Sequence, residues 1–163
     1  MVATAVVAAQ PASAAAPRCT GSGFRESVML DEDGMSRDIV YFPAHSPGTE
    51  TVPRTPGGWG FWSCSLVYGS TGVGVWKLQG EINKCYIETG VITGVAPLNQ
   101  DYQFGTLTKG ALIKVQQSLG ITANGQYGPE TARTMRHPYV EYTPYDDTHC
   151  GQLALFGWPG NSG

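Results

Sequence analysis

The sequence predicts a mainly α protein: a three-helix bundle with a small β-hairpin and irregular N-terminal arm, a loop-rich C-terminal tail and stabilising disulfides. Three observations support this fold class. Apolar residues recur at helical spacing in three short segments. Residues 98–112 and 121–135 carry one pattern twice at an offset of 23, and all four cysteines lie beyond residue 16. A chain of 163 residues has room for one small domain with an elaborated arm.

The first 16 residues resemble the end of a secretory signal peptide. A short run of Ala and Val is followed by a Pro and an Ala-Ser-Ala segment, and cleavage is expected after Ala14 or Ala16. The run is too short to cross a bilayer, which takes roughly 20 apolar residues. We therefore assign residues 1–16 to a signal peptide remnant and expect a secreted protein, in the extracellular space or at the cell wall.

Residues 17–63 are predicted to form an arm and not a domain of their own. Residues 24–30 and 37–42 favour strands, and the turn-forming residues 31–34 between them indicate a β-hairpin. The following stretch to residue 63 is rich in Pro and Gly, which predicts irregular structure.

The first helix of the bundle is indicated by an apolar stripe. Val75, Leu78, Ile82 and Cys85 follow one another at intervals of three, four and three, which puts all four on one helix face. Gly72 and Gly74 mark its start.

The second and third helices follow the two copies of the repeat. Each copy has Asp or Asn for a tight turn, an aromatic-Gly pair for a bend into the core, and a Thr three residues later. Helices are expected to begin near Thr106 and Pro129 and to end at Gly120 and before Pro138. Residues 64–136 therefore form the bundle, and the aromatic-rich residues 137–163 form a tail that packs on the arm.

The four cysteines predict two disulfides, because an even number in an exported chain is typical of a disulfide framework. Three pairings are possible. We favour Cys64 with Cys85 and Cys19 with Cys150, which would hold the first helix to the preceding loop and join the two tails. The sequence does not decide between the three.

Three ordered motifs run through residues 64–136. They are Leu66-x-x-Gly69-x-x-Gly72-x-x-Val75-x-x-Leu78-Gln79-x-x-Ile82-Asn83, Phe104-Gly105-x-x-Thr108-x-x-Ala111-Leu112-x-x-Val115-Gln116 and Asn124-Gly125-x-Tyr127-Gly128-Pro129-x-Thr131. These motifs resemble the peptidoglycan-binding domain of bacterial wall hydrolases. The Cys64-x-Leu66 start and the Asn83-x-Cys85-Tyr86 end are similar to versions found in exported proteins of filamentous actinobacteria. Two departures from the family pattern stand out: Tyr102 follows Asp101 where Gly is usual, and the loop 88–99 is long.

The resemblance implies binding to the glycan or the stem peptide of peptidoglycan through a shallow surface. Large apolar motif residues are expected in the core, and Gln79 and Gln116 are expected to hydrogen-bond loop backbone. Aromatic faces can stack on sugar rings, and Arg can pair with carboxylates. The candidate ligand contacts are Trp76, Tyr102, Gln103, Asn124, Gln126 and Arg133.

Composition and motifs argue against several other functions. A net charge of -3 and a pI near 5.5 are unsuited to binding nucleic acid, and no other segment is apolar enough to enter a membrane. The cluster 146–150 contains Asp, His and Cys, but it lacks the spacing of a metal site and its cysteine is expected to be oxidised. We predict no catalytic residue, metal or cofactor, and hence no enzyme.

Two classes of function remain open for the chain. In the first, it is a secreted, non-catalytic protein that binds the cell wall. In the second, it is a protein-protein adaptor or structural subunit of a secreted assembly, such as a toxin particle or an inhibitor complex, with its N-terminal arm docked on the partner. The absence of a catalytic domain to be targeted favours this alternative.

Overall fold

A computed structural model describes residues 18–19, 21–31, 34–44, 64–141 and 148–152. The expected signal peptide remnant, the Pro/Gly-rich stretch 45–63 and much of the tail lie outside these residues. Three α-helices and four β-strands are described. They are β1 (Gly21–Asp31), β2 (Gly34–Ala44), α1 (Val73–Ile82), α2 (Thr106–Leu119), α3 (Pro129–Thr134), β3 (Arg136–Glu141) and β4 (Thr148–Gln152).

The helices follow the capping signals of the sequence. Helix α2 ends at Gly120, whose φ of 68° is left-handed, and α3 begins at Pro129 in its first turn. Both helices begin at the residues expected from the repeat. Helix α1 differs from the expectation in its last turns, because it continues as a π-helical segment, Asn83–Ile87. Helix α3 is short, with six residues.

The helical core contains the side chains predicted to fill it. Val75, Leu78 and Ile82 of α1 and Leu112 and Val115 of α2 are fully buried. The aromatic residues of the two repeat copies, Phe104 and Tyr127, are also buried. The apolar stripes of the helices are therefore buried against one another.

The strands form one antiparallel sheet in the order β1-β2-β3-β4. The expected hairpin is present, with β1 and β2 paired from Gly21 with Ala44 to Asp31 with Gly34. Strand β2 also pairs with β3 over three positions, and β3 pairs with β4. The sheet packs against α1 and the π-helical segment.

The tail is where the predicted fold class needs correction. It was expected to be loop-rich, but it supplies β3 and β4. Strand β3 pairs with β2 from Tyr139 to Glu141. Pro138, which lacks an N–H, precedes the first of these paired residues and does not interrupt the hydrogen bonds between β2 and β3. The described fold therefore combines the helical domain with a four-stranded sheet and is not mainly α.

The disulfides also differ from the pairing we favoured. Cys19 is bonded to Cys64 and Cys85 to Cys150. The Cys19 N–H donates to the Ser65 carbonyl at 3.0 Å, which holds Cys19 beside Cys64. Cys85 is buried, as its place in the apolar stripe predicts, but its partner Cys150 lies on β4.

Gly74 explains how Cys19 comes so close to α1. A Cβ at Gly74 would lie 2.8 Å from the Cys19 carbonyl oxygen.

Within the described ranges, no helix is both long and apolar enough to span a bilayer.

Candidate functional site

The candidate site is built on two tight turns, one in each copy of the repeat. The first turn comprises residues 101–103 and the second turn comprises residues 124–126. In the first turn, the Asp101 carboxylate accepts a hydrogen bond from the Gln103 N–H at 3.0 Å. In the second turn, the Asn124 side-chain oxygen accepts one from the Gln126 N–H at 2.9 Å. Both turns have the local hydrogen bond predicted for Asp and Asn at these positions.

A buried glutamine fixes the first turn to the helices. The side-chain nitrogen of Gln79 donates to the Asp101 carboxylate at 2.8 Å, to the Gln103 carbonyl at 3.0 Å and to the Thr108 hydroxyl at 3.1 Å. Gln79 is 1% exposed and lies on α1, whereas Thr108 lies in the first turn of α2. One amide thus joins the turn to both helices.

The second turn is held in the same way by Gln116 of α2. Its side-chain nitrogen donates to the Asn124 oxygen at 3.2 Å, to the Gln126 carbonyl at 2.9 Å and to the Thr131 hydroxyl at 3.1 Å. The expectation that both glutamines bond loop backbone is confirmed. The role of the two Thr residues was missed, although their matching positions in the repeat were the signal for it.

The two turns differ in their electrostatics. The hydrogen bond from Gln79, followed by the backbone N–H of Gln103, lowers the pKa of the Asp101 carboxyl, which is therefore charged at neutral pH. The neutral amide of Asn124 occupies the matching position. The Gln116 side-chain oxygen accepts the Gly125 N–H at 2.8 Å, whereas the Gln79 oxygen is buried without a partner among the described residues.

Tyr102 occupies an unusual backbone conformation at the centre of the first turn. Its φ is 64°, and among the described residues it is the one non-glycine with a positive φ. Gly125, in the matching position of the second turn, has a φ of 69°. The turn therefore requires the left-handed conformation in both copies, and Tyr102 adopts it at a cost in strain that Gly125 avoids.

The Tyr102 ring stacks on Trp76 of α1 at the surface. Their ring centroids are 6.1 Å apart and the ring planes differ by 20°. Trp76 is 37% exposed and Tyr102 is 46% exposed. The Gly72 N–H donates to the Tyr102 carbonyl at 2.9 Å, and the Gln100 side chain donates to the Trp76 carbonyl at 3.0 Å. We refer to Trp76 and Tyr102 as the aromatic pair.

The remaining predicted contact residues are all exposed. Gln103 belongs to the first turn, and its backbone pairs with Thr71. Asn124 and Gln126 belong to the second turn, and Arg133 lies in the last turn of α3. The structure thus gathers Trp76, Tyr102 and Gln103 at the first turn, and Asn124 and Gln126 at the second.

Residues 71–135 match the family model described as "Putative peptidoglycan binding domain". Over these 65 residues, two fifths of the chain, the sequence is similar to the peptidoglycan-binding domain family. The match includes all three α-helices, both turns and the aromatic pair. Comparisons with curated proteins and with solved structures gave no match. The family is one of binding domains and not of catalytic ones, which supports a peptidoglycan-binding-like role.

A buried acid–histidine contact joins the helical domain to the sheet. The Glu81 carboxylate of α1 lies 3.2 Å from Nδ1 of His137 in β3, and both side chains are fully buried. Nε2 of His137 lies 2.7 Å from the Ala132 carbonyl, which can only accept a hydrogen bond, so Nε2 is the donor. No local sequence pattern predicts this contact, because the burial of Glu81 depends on where β3 packs.

Two buried tyrosines surround this contact. Burial, with the nearby charge of Glu81, raises the pKa of Tyr127, and burial also raises that of Tyr86. The Tyr86 hydroxyl accepts the Arg136 N–H at 2.6 Å. The cluster is closed to solvent and serves to connect α1 with β3.

A shallow cleft of about 460 Å³ lies between the π-helical segment and the β3–β4 pair. His149 lines it, but the neighbouring Cys150 is in a disulfide and offers no thiolate nucleophile. Asp146 and Asp147 lie outside the described residues. Among those described, no group of His, Cys, Asp and Glu could hold a metal ion.

Proposed function

We propose that the chain is a secreted, non-catalytic protein that binds peptidoglycan through the surface formed by the two turns and α3. The observation that carries this proposal is the family match over residues 71–135, which contains every predicted contact residue. Those residues are Trp76, Tyr102, Gln103, Asn124, Gln126 and Arg133. The two disulfides are consistent with an extracellular or cell-wall location.

The chemistry of this surface suits a polymer of sugars and short peptides. It offers two exposed aromatic rings, exposed side-chain amides and the guanidinium of Arg133. Aromatic rings pack on the apolar faces of sugars, amides bond hydroxyl and acetamido groups, and Arg pairs with carboxylates.

The buried glutamines also support binding, because they hold the surface in one conformation. Each connects a turn to a neighbouring helix through three hydrogen bonds. A surface that is ordered before the ligand arrives loses less conformational entropy on binding. The family match gives no support to the alternative function, a protein-protein adaptor with a docked arm.

The proposal is tested by sedimentation of the purified chain with insoluble peptidoglycan. We expect saturable retention in the pellet, reduced by Arg133→Gln and unchanged by Lys84→Gln. Lys84 is a suitable control because it is exposed, pairs with Glu88 and lies on the π-helical segment away in sequence from both turns. A chain that stays in the supernatant at all peptidoglycan concentrations contradicts the proposal.

A further inference from the structure

The two turns of the repeat provide an internal comparison. They share their hydrogen bonds to a glutamine, and their central residues share a left-handed φ, 64° at Tyr102 and 69° at Gly125. Glycine is the residue that this conformation favours. Because the fold of the turn is satisfied by Gly125, the fold alone does not account for a tyrosine at position 102.

Burial does not account for Tyr102 either. Its side chain is 46% exposed, and its ring partner Trp76 is 37% exposed on a helix that buries Leu78 and Ile82 completely. Apolar surface left in water contributes little to stability. A strained backbone that holds an exposed ring is typical of a binding site.

The geometry of the aromatic pair leaves ring faces open. The planes are 20° apart and the centroids 6.1 Å apart, so the rings are nearly parallel and offset. In an offset arrangement the two rings overlap only in part. The pair therefore leaves part of each aromatic ring exposed at the surface.

Further exposed apolar side chains flank the backbone segment that pairs with the first turn. The backbone pairs residues 69–72 with residues 102–104, through the Gly69 N–H to the Phe104 carbonyl and the Gly72 N–H to the Tyr102 carbonyl. The side chains next to residues 69–72 in sequence are Tyr68, which is 63% exposed, and Val73, which is 42% exposed.

Charge at this surface favours a neutral ligand. Asp101 precedes Tyr102 directly, and the hydrogen bond from Gln79 keeps its carboxylate charged by lowering its pKa. A negative charge beside the rings disfavours the carboxylates of a stem peptide. The exposed Gln103 amide, on the other side of Tyr102 in sequence, can bond hydroxyl or acetamido groups.

We propose that the aromatic pair binds an N-acetylhexosamine ring of the glycan strand by face stacking, and that it does not bind the stem peptide. The inference rests on the proposed function and assigns the ligand of its first turn. Trp76 and Tyr102 supply the stacking surface, and Gln103 supplies the polar contact. Tyr102 is retained at this position for binding and at the expense of stability.

The variant Tyr102→Gly tests this directly, because it gives the first turn the residue that the second turn already has. The variant removes the strain and keeps the backbone conformation, so its thermal midpoint should equal or exceed that of the natural chain. Trp76→Ala removes the other ring. Val91→Ala is the matched control, because it truncates an apolar side chain with a similar exposure of 42% in the loop 88–99.

The measurement is isothermal titration with a β-1,4-linked N-acetylglucosamine hexamer and, separately, with a soluble stem pentapeptide. We expect the hexamer to bind and the pentapeptide not to bind. Tyr102→Gly and Trp76→Ala should each weaken binding of the hexamer by about tenfold, and Val91→Ala should leave it unchanged.

Unchanged hexamer affinity in a stable Tyr102→Gly variant overturns the inference, as does binding of the pentapeptide alone. The same variants sedimented with insoluble peptidoglycan separate the two proposals. If the natural chain and Tyr102→Gly sediment equally, the aromatic pair is not the contact but the proposed function stands. If the natural chain binds neither peptidoglycan nor hexamer, both proposals fail.

Discussion

Replacing Gln116 by Met should destabilise the protein more than any other change at the second turn. Gln116 is 1% exposed, and its amide has four hydrogen-bonding partners. Met has a similar length and volume, so the substitution removes those bonds while largely keeping the packing. The Gly125 N–H and the Thr131 hydroxyl would then lose a buried partner.

The expected loss follows from the number and burial of these bonds. The two N–H groups of the amide are divided among three acceptors, and its oxygen accepts one further bond, so the amide makes about three full hydrogen bonds. A neutral hydrogen bond contributes about 1 kcal/mol net, which gives an upper figure of about 3 kcal/mol. The bonds to Thr131 and from Gly125 are buried, whereas water can replace those at Asn124 and Gln126 in part. We therefore expect a loss of about 2–3 kcal/mol, a large share of the roughly 5–15 kcal/mol typical of a folded domain.

Urea unfolding with the disulfides intact, followed by circular dichroism, measures this loss. Gln117→Met is the matched control, because Gln117 is the exposed neighbour of Gln116 on α2. The control should lie within about 0.5 kcal/mol of the natural chain. If Gln116→Met differs from the control by less than about 1 kcal/mol, the hydrogen bonds do not hold the second turn as described.

Three further predictions concern charge, burial and covalent links. The pKa of Asp101 is lowered in the folded state, so its carboxylate stabilises the fold above about pH 4, and this contribution is lost as the pH falls through the folded pKa. Asp101→Asn should therefore make the free energy of unfolding depend less on pH in the acid range. Equal stability–pH curves for both chains would argue against this. His137→Leu should lower the free energy of unfolding by about 3–5 kcal/mol, because it leaves Glu81 buried without its partner. Adding Glu81→Leu should recover part of this loss. Strictly additive losses of the two variants in urea unfolding would contradict the pairing. Replacing Cys85 and Cys150 together by Ser should cost about 4 kcal/mol in unfolding free energy, because their bond closes a span of 65 residues; peptide mapping without reduction that pairs Cys85 with Cys64 would disprove the bond.

Local signals made the helical domain predictable from the sequence. The 23-residue offset placed the starts of α2 and α3 at Thr106 and Pro129, because each copy carries its own turn and capping residues. The motifs that resemble the peptidoglycan-binding domain identified Gln79 and Gln116 as residues that bond loop backbone, because a buried amide must be satisfied. The hairpin β1–β2 was predictable for a similar reason, because its strands are neighbours in the sequence.

Contacts between distant segments were not predictable in the same way. The pairing of β2 with β3 joins Val40 to Tyr139, and no local pattern specifies it. The disulfides depend on this packing, since β4 brings Cys150 to Cys85. Trp76 and Tyr102 were each identified as candidate contacts, but their stacking across two segments required the structure.

Mapping the bound surface residue by residue is the most direct test of the account. The isotopically labelled chain would be titrated with soluble peptidoglycan fragments, and backbone amide shifts followed by nuclear magnetic resonance. We expect the largest shifts at Trp76, Tyr102 and Gln103, with smaller ones at the second turn. Shifts confined to the cleft around Lys84 and His149, or no shifts at saturating fragment, would contradict binding of peptidoglycan through the two turns.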